Sequence, residues 1–311
     1  MKCTKCNNNA IIYQKYSGVH LCKEHFIYDV ERKIKRDMRK HSMILQNDKV
    51  AVALSGGKDS ITLLYILHKV FCKREDIDLI AITINEGISG YREKTLKIAK
   101  DFTKQLEIEH VIVSFKDTYD FDLDEIVKNN KNKKLAPCTF CGVLRKTLLN
   151  KTAKELGATK LATGHNLDDE SQTVLLNHLR GDVERLVRLA PEKPQPGLIV
   201  RIKPLRNIPE KEVALYALVN NLPVDFSECP YASEAIRIEV RDILNEFEVK
   251  HPGTKYSLMR SFDKISSALR IAYPQANLSK CKICGEPCTG DLCKACVLIE
   301  NIKKYSGPGG I

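Results

Sequence analysis

The sequence predicts an α/β fold on a parallel sheet with a small metal-binding module at each end, and three observations predict it. From about Asn47 the chain alternates short apolar runs with helical patterns, the signature of parallel strands covered by helices on both faces. One apolar run, Lys49–Leu54, passes directly into a glycine turn and then an apolar helix. The cysteines at both ends fall into Cys-x-x-Cys or Cys-x-x-His pairs, the spacing of tetrahedral metal sites.

In chain order, the first thirty residues hold Cys3-x2-Cys6 and Cys22-x2-His25, four ligands that can close one zinc site. A charged segment follows, Asp29 to Lys40, with Val30, Ile34 and Met38 at helical spacing. The core then reads as strand Lys49–Leu54, helix Asp59–Phe71, strand Asp78–Ile84, helix Tyr91–Leu106 and strand His110–Phe115. Beyond a loop come helix Gly142–Leu156, strand Lys160–Thr163 and a helix from Asp168, which is read as its N-cap. Two polar stretches, Lys128–Lys134 and Pro191–Gly197, read as solvated loops. Around Cys229 the alternation gives way to a helical region through Ala272, and Cys281, Cys284, Cys293 and Cys296 form a second pair of pairs. The resulting division is an N-terminal zinc module over 1–30, a basic connecting helix over 31–46, the α/β core over 47–225, a helical extension over 226–276, a zinc ribbon over 277–300 and a tail over 301–311.

A chain of 311 residues with 43% hydrophobic residues can bury a large core, which excludes disorder and a disulfide-dependent miniature fold. No apolar stretch reaches the roughly 18 residues of a membrane span, and Met1–Cys6 carries no apolar leader, so the expected compartment is the cytoplasm. The net charge of +11, spread along the chain, favours a polyanion such as nucleic acid. Arg32, Lys33, Lys35, Arg36, Arg39 and Lys40 are the candidate phosphate-contacting face of the connecting helix, equally readable as a solvated face.

Ser55-Gly56-Gly57-Lys58-Asp59-Ser60 joins the first core strand to its helix. Glycines let the backbone approach an anion, and the helix N-terminus offers unpaired amides at the positive end of its dipole. The spacing is not that of a Walker loop. It resembles the SGGKDS signature of the PP-loop, or N-type ATP pyrophosphatase, superfamily with its adenine nucleotide α-hydrolase-like fold. That resemblance implies cleavage of ATP between the α and β phosphates and adenylation of a substrate oxygen. Gly164-His165-Asn166-Leu167-Asp168-Asp169-Glu170 is similar to the nucleotide-site GHNxDD segment of thiolating members, which makes Gly164 and Asp169 candidates for nucleotide contact and catalysis. His165 reads as structural.

The central cysteines differ from those at the ends. Cys138-x2-Cys141 precedes a helix, Cys229 follows some ninety residues later, and no fourth soft ligand accompanies them. Three readings stand: an iron-sulfur cluster with one iron left without a protein ligand, a persulfide resolved as a disulfide, or a third zinc site completed by a distant histidine. Cys72 and Cys288 have no evident role.

Taken together, the ligand pairs at both ends, SGGKDS, the central Cys-x-x-Cys, GHNLDDE and the late Cys229-Pro230 closely resemble the TtuA/NcsA-type tRNA 2-thiouridine synthetases over nearly the whole chain. The resemblance implies ATP with Mg2+, two structural Zn2+, a [4Fe-4S] cluster on Cys138, Cys141 and Cys229, a tRNA substrate and a homodimer. It also implies nucleotide contacts from Ala53, Leu54, residues 55–60, Ile82, Gly164 and Asp169, with Lys58, Asp169, Arg145 and the three cysteines as the catalytic set. Relatives commonly carry lysine where this chain has Arg145, followed by Lys146; arginine keeps the charge but does not serve as a base near neutral pH. The implied reaction adenylates the uridine C2 oxygen, and sulfur from sulfide or a thiocarboxylated ubiquitin-like carrier then displaces AMP. Gly309-Gly310 suggests such a carrier, but Ile311 follows, so the segment reads as a tail. Two rival functions remain: a PP-loop enzyme using a persulfide or a nitrogen nucleophile, and a non-catalytic zinc-ribbon RNA binder.

Overall fold

In the computed structural model, which describes residues 1–130, 135–189, 195–232, 235–274 and 276–306, five strands form one all-parallel sheet. The chain enters through a hairpin, β1 (Ile12–Gln14) and β2 (Val19–Leu21), and runs into α1 (Lys23–Lys40). Phe26, Val30, Ile34 and Met38 recur every four residues on α1 and are all buried, which makes it one continuous helix on the core. The expected boundary at residue 30 therefore falls inside a helix that leaves the first metal module without a break.

The core follows as β3 (Lys49–Ala53), α2 (Lys58–Phe71), β4 (Asp78–Asn85), α3 (Arg92–Gln105) and β5 (Glu109–Ser114). Short helices α4 (Phe115–Tyr119) and α5 (Leu123–Asn129) lead to α6 (Pro137–Glu155), β6 (Lys160–Ala162), α7 (Leu167–Leu179), α8 (Val183–Val187), β7 (Val200–Ile202) and α9 (Glu210–Val219). Then come α10 (Ala235–Lys250), α11 (Thr254–Ala272), a ribbon of β8 (Ser279–Lys280) and β9 (Pro287–Cys288), and α12 (Lys294–Ser306).

Strand order is β5-β4-β3-β6-β7, so the first strand of the sheet is its centre. Val50 and Val52 of β3 feed the core cluster on one face while Ala51 feeds the cluster on the other. Burial on both faces explains why β3 and β4 read as continuous apolar runs instead of alternating ones. Successive strands are added on one side of β3 up to β5 and on the other side from β6. The loops after β3 and β6 therefore leave in opposite directions and open a crevice at the strands' carboxyl ends.

Several expectations are corrected. Pro137 opens α6 as its first residue, a position that needs no N–H, so Cys138 and Cys141 lie inside the helix and not before it. The N-cap of α7 is Asn166, not Asp168. β7 and α9 were not anticipated: β7 is three residues long with Arg201 at its centre, too short and mixed to show a period. α12 runs through Ser306, across the expected boundary at 300. Residues 131–134, 191–194 and Gly309-Gly310 lie outside the described residues.

Candidate functional site

The loop after β3 is held by its own hydroxyls. Ser60 Oγ donates to the Gly57 carbonyl at 3.0 Å and accepts the Ser55 N–H at 3.0 Å, and Ser55 Oγ lies 3.0 Å from Ser60 Oγ. Gly56 sits at φ +86°, and a Cβ there would stand 2.2 Å from the Thr95 carbonyl oxygen, so only glycine fits. Lys58 is tied to Asp59 at 2.9 Å and Glu210 at 2.8 Å. Burial works against its charge, but the two carboxylates outweigh it and push its pKa up to about 12.

The loop after β6 packs directly on the first. A Cβ on Gly164 would lie 3.0 Å from the Asp59 carbonyl carbon and 3.1 Å from the Ser60 nitrogen. Asn166 caps α7 through a reciprocal box with Asp169, each side chain accepting the other's backbone N–H at 3.1 Å. The Asn166 amide also donates to Asp59 at 3.1 Å, tying the two loops together. Burial, reinforced by the nearby charges of Asp59 and Glu210 and opposed by the Asn166 N–H, raises Asp169 to about 6. Asp168 instead accepts the Glu210 N–H at 2.8 Å and pairs with Lys255, which reaches Asn245 at 2.6 Å. The extension α10–α11 is thereby linked to the residue that holds Lys58.

Cys138 and Cys141 share a face of α6, and Cys229 approaches from the loop before α10. Cys138 Sγ donates to the Tyr231 carbonyl at 3.1 Å. Burial pushes the Cys141 thiol up to about 11, partly offset by the positive charge of Arg145. Arg145 lies 3.5 Å from Glu86, which also faces Arg92 at 2.7 Å. The three sulfurs do not draw within 4.8 Å of one another as the end clusters do.

A cavity of about 1390 Å³ connects these parts. Its lining includes Ala53, Leu54, Ser55, Asp59, Ser60, Ile82, Gly164, Asp169, Cys138 and Arg145; Gly56, Gly57, Lys58, Cys141 and Cys229 lie outside it. The lining also carries cations: Lys146 from α6, Arg201 from β7, Lys203 just after β7 and paired with Glu170 at 2.9 Å, and Arg237 from α10. His165 lies among them: the cavity admits solvent to the ring, yet enclosure by the walls and repulsion from Lys203, Lys146, Arg145 and Arg237 hold its pKa down to about 3. Glu86, Arg92, Arg201, Lys203 and Arg237 escaped the sequence reading, which named Lys146 only as the neighbour of Arg145; for Glu86 the signal was a charged residue just past the carboxyl end of a core strand. On α1, by contrast, Arg32 and Lys33 pair with Asp29 at 3.2 and 2.6 Å, and Lys35 with Glu31 at 4.0 Å, so half of the expected basic face is neutralised locally.

The end modules share one plan. Cys22 caps α1 and His25 follows in its first turn, while Cys293 and Cys296 stand in the same relation to α12. Cys6 and Cys22 sulfurs are 3.7 Å apart and those of Cys284 and Cys293 3.5 Å, close to the tetrahedral edge of about 3.7 Å that Zn–S bonds of about 2.3 Å generate. Cys3 and Cys22 lie 3.5 and 3.3 Å from His25 Nδ1. The two sets, Cys3/Cys6/Cys22/His25 and Cys281/Cys284/Cys293/Cys296, each fit one tetrahedral ion.

The comparisons with known proteins agree with this geometry. Residues 27–241 match the model of the PP-loop domain, and residues 2–27 match the N-terminal LIM domain of the 2-thiouridine synthetase TtuA. The chain is 38% identical to the tRNA 2-thiolation protein NcsA of Haloferax volcanii, over 97% of this chain and 99% of that one. It is 36% identical to the tRNA-5-methyluridine(54) 2-sulfurtransferase of Pyrococcus horikoshii, over 95% of this chain and 93% of the relative. The solved U34-tRNA thiolase NcsA of Methanococcus maripaludis with its [4Fe-4S] cluster superposes at a TM-score of 0.85 with 40% identity, covering 97% of this chain and 96% of that one. With a PP-loop crevice, three convergent cysteines and full-length likeness of this degree, the chain belongs to the PP-loop tRNA 2-thiolation family.

Proposed function

We propose that this chain is an ATP-dependent tRNA 2-thiolation enzyme of the cytosol. The observation that carries the reading is the single cavity lined both by the PP-loop residues Ser55, Asp59 and Ser60 and by Cys138. Activation and sulfur delivery need one uridine to meet both chemistries without leaving the protein, and a shared cavity supports that economy.

ATP binds with its phosphates on residues 55–60, near Gly164 and Asp169, and Ala53, Leu54 and Ile82 line the adenosine side. The uridine C2 oxygen attacks the α phosphorus, the α–β anhydride bond breaks and pyrophosphate leaves. Sulfide, or a carrier thiocarboxylate whose acyl carbon–sulfur bond is then hydrolysed by water to leave the carrier carboxylate, supplies the sulfur that attacks C2, and the C–O bond breaks as AMP departs. Lys58, once ATP competes it away from Asp59 and Glu210, neutralises phosphate charge. Mg2+ accompanies the nucleotide. Cys138, Cys141 and Cys229 would hold a [4Fe-4S] cluster, which with only three protein thiolates would supply an iron able to bind the incoming sulfur. Cys3, Cys6, Cys22 and His25 hold one structural zinc, and Cys281, Cys284, Cys293 and Cys296 another. The tRNA backbone lies on the cations Lys146, Arg201 and Arg237 of the cavity lining, and the working unit is a homodimer.

Anaerobic purification tests the reading. The expected protein is brown, contains iron and labile sulfide, releases AMP and pyrophosphate with tRNA present, and forms 2-thiouridine. A colourless protein that still thiolates after Cys138→Ala would overturn the cluster chemistry, and unchanged activity in Lys58→Ala would overturn the adenylation. Mass spectrometry of tRNA nucleosides from a deletion strain identifies the uridine by the modification that disappears.

A further inference from the structure

Between the nucleotide loop and the three cysteines lies one carboxylate without a role in the scheme above. Glu86 follows the carboxyl end of β4, and its side chain is only 6% exposed. Its backbone carbonyl accepts the Leu123 N–H at 2.8 Å, which fixes the main chain. Its two oxygens face different guanidinium groups: Oε2 lies 2.7 Å from Arg92 Nε and Oε1 lies 3.5 Å from Arg145 Nη1.

The two arginines are not equivalent. Arg92 is buried and immobilised, since it also donates to the Ser55 carbonyl at 2.6 Å, to Thr95 Oγ1 at 3.0 Å and to the Ile84 carbonyl. Thr95 in turn presents the carbonyl against which Gly56 is packed. Arg145 lies on the cavity wall on α6, one turn beyond Cys141, and its charge reaches Cys141 and Cys229. Among the described residues, Glu86 is the carboxylate that pairs with it. Without that carboxylate, Arg92 would be left as an uncompensated buried charge and the half-exposed Arg145 would lose its anchor. Arg145 would also regain the rotamer freedom of a long side chain.

Resting on the thiolase reading, we infer that Glu86 is a positioning residue for sulfur transfer. It takes its own place from the Arg92–Ser55 contact beneath the nucleotide loop and holds Arg145 beside the cysteine trio. One carboxylate thus sets the register between the nucleotide and sulfur halves of the site.

The test is a double-mutant cycle on anaerobic full-length protein: wild type, Glu86→Gln, Arg145→Gln and the pair. Three quantities are read: ATP affinity of the cluster-free protein by calorimetry, reduction potential of the reconstituted cluster, and the single-turnover rate of tRNA thiolation. Glu86→Gln is expected to leave ATP affinity within about threefold, to move the cluster potential, and to slow thiolation on the order of 10²-fold, as displacement of a positioned group does. The double variant is expected to be no slower than Arg145→Gln alone, because both changes remove the same contact. A wild-type thiolation rate in Glu86→Gln, slowdowns that multiply in the double variant, or a loss of ATP affinity matching the loss of thiolation would overturn the inference. If Glu86→Gln loses its melting transition, Glu86→Asp takes its place; it retains charge but shortens the reach, and an unchanged potential and rate in it would overturn the inference equally. A wild-type protein that binds ATP but never thiolates defeats the functional reading instead, and the cluster potential of the Glu86 variants then decides this one.

Discussion

At the scale of single residues, the site works by opposing burial against charge. Asp169 shows it most directly, because burial lifts its pKa to about 6 while its backbone partner at Asn166 pulls the other way. A folded-state pKa above the ordinary carboxylate value means that the fold favours the protonated form. The associated stability is therefore present below the unfolded pKa and lost as pH rises through about 6. Asp169→Asn keeps an acceptor for the Asn166 N–H and removes the charge. At pH 7–8 this substitution should raise the melting temperature by a few degrees, about 1 kcal/mol corresponding to roughly 2–4 °C in a chain of this size, with the gain vanishing near pH 4. Thiolation should fall on the order of 10²-fold. Calorimetric melts across pH check the first half, and a pH-independent gain would contradict the account. Lys58 is the converse case: two carboxylates keep it charged and fixed in the ligand-free protein, so nucleotide binding must exchange one set of anions for another.

At the scale of elements, the crevice is made by two helix N-termini, α2 and α7, whose preceding loops interlock. Gly56 is the tightest point, with a left-handed φ and the Thr95 carbonyl directly in the way of any Cβ. Gly56→Ala cannot be accommodated by rotating a side chain, since the obstacle is backbone. It should destabilise by on the order of 1–3 kcal/mol and weaken ATP binding tenfold or more. Gly157→Ala, also at positive φ but with nothing within 4 Å, should cost stability alone. Parallel titrations of ATP into both variants distinguish a clash under the nucleotide from generic strain; equal losses of affinity would sink the distinction. The same interlocking explains why Asn166, rather than the more acidic Asp168, caps α7: its amide serves both as cap and as donor to Asp59.

At the scale of the whole molecule, the metal modules are built into the core instead of hanging from it. The N-terminal hairpin is joined to α9 by Gln14, whose amide reaches Asp29 at 3.1 Å and Glu212 at 3.0 Å, while Tyr16 binds Glu212 at 2.5 Å. Glu286 of the C-terminal module accepts from Asn150 at 2.7 Å and Lys154 at 3.1 Å, both on α6, the helix that bears Cys138 and Cys141. Metal binding at such modules supplies much of their folding free energy. Exhaustive anaerobic chelation should release two zinc ions per chain and remove hydrogen-exchange protection from α12 and the β1–β2 hairpin, while β3, β4 and β6 stay protected. Retained protection in α12 after the metal has gone would show that packing on α6 suffices without it.

What the sequence by itself determined is whatever chemistry lies close together along the chain. Lys49–Ser60 carries strand, turn and helix start within a dozen residues, and each end module declares its ligands at fixed short spacings. Local spacing controls local geometry, so these features were legible. The resemblance to thiolating enzymes then extended the reading to Cys229, which no local pattern joins to Cys138 and Cys141. What only the tertiary structure decided is which distant charges face one another. Glu86 meets Arg145 across 59 positions and Gln14 meets Glu212 across 198, while the cations of the cavity lining draw on α6, β7 and α10. Sheet order brings β3, β6 and β7 side by side, and strand order is a property of packing that periodicity does not encode. The basic helix α1 illustrates the difference: its lysines and arginines are plain in the sequence, but Asp29 and Glu31 one turn away, with Glu212 across the core, neutralise half of them. Charge counted along a chain does not by itself mark a binding surface, because folding decides which of those charges meet a partner.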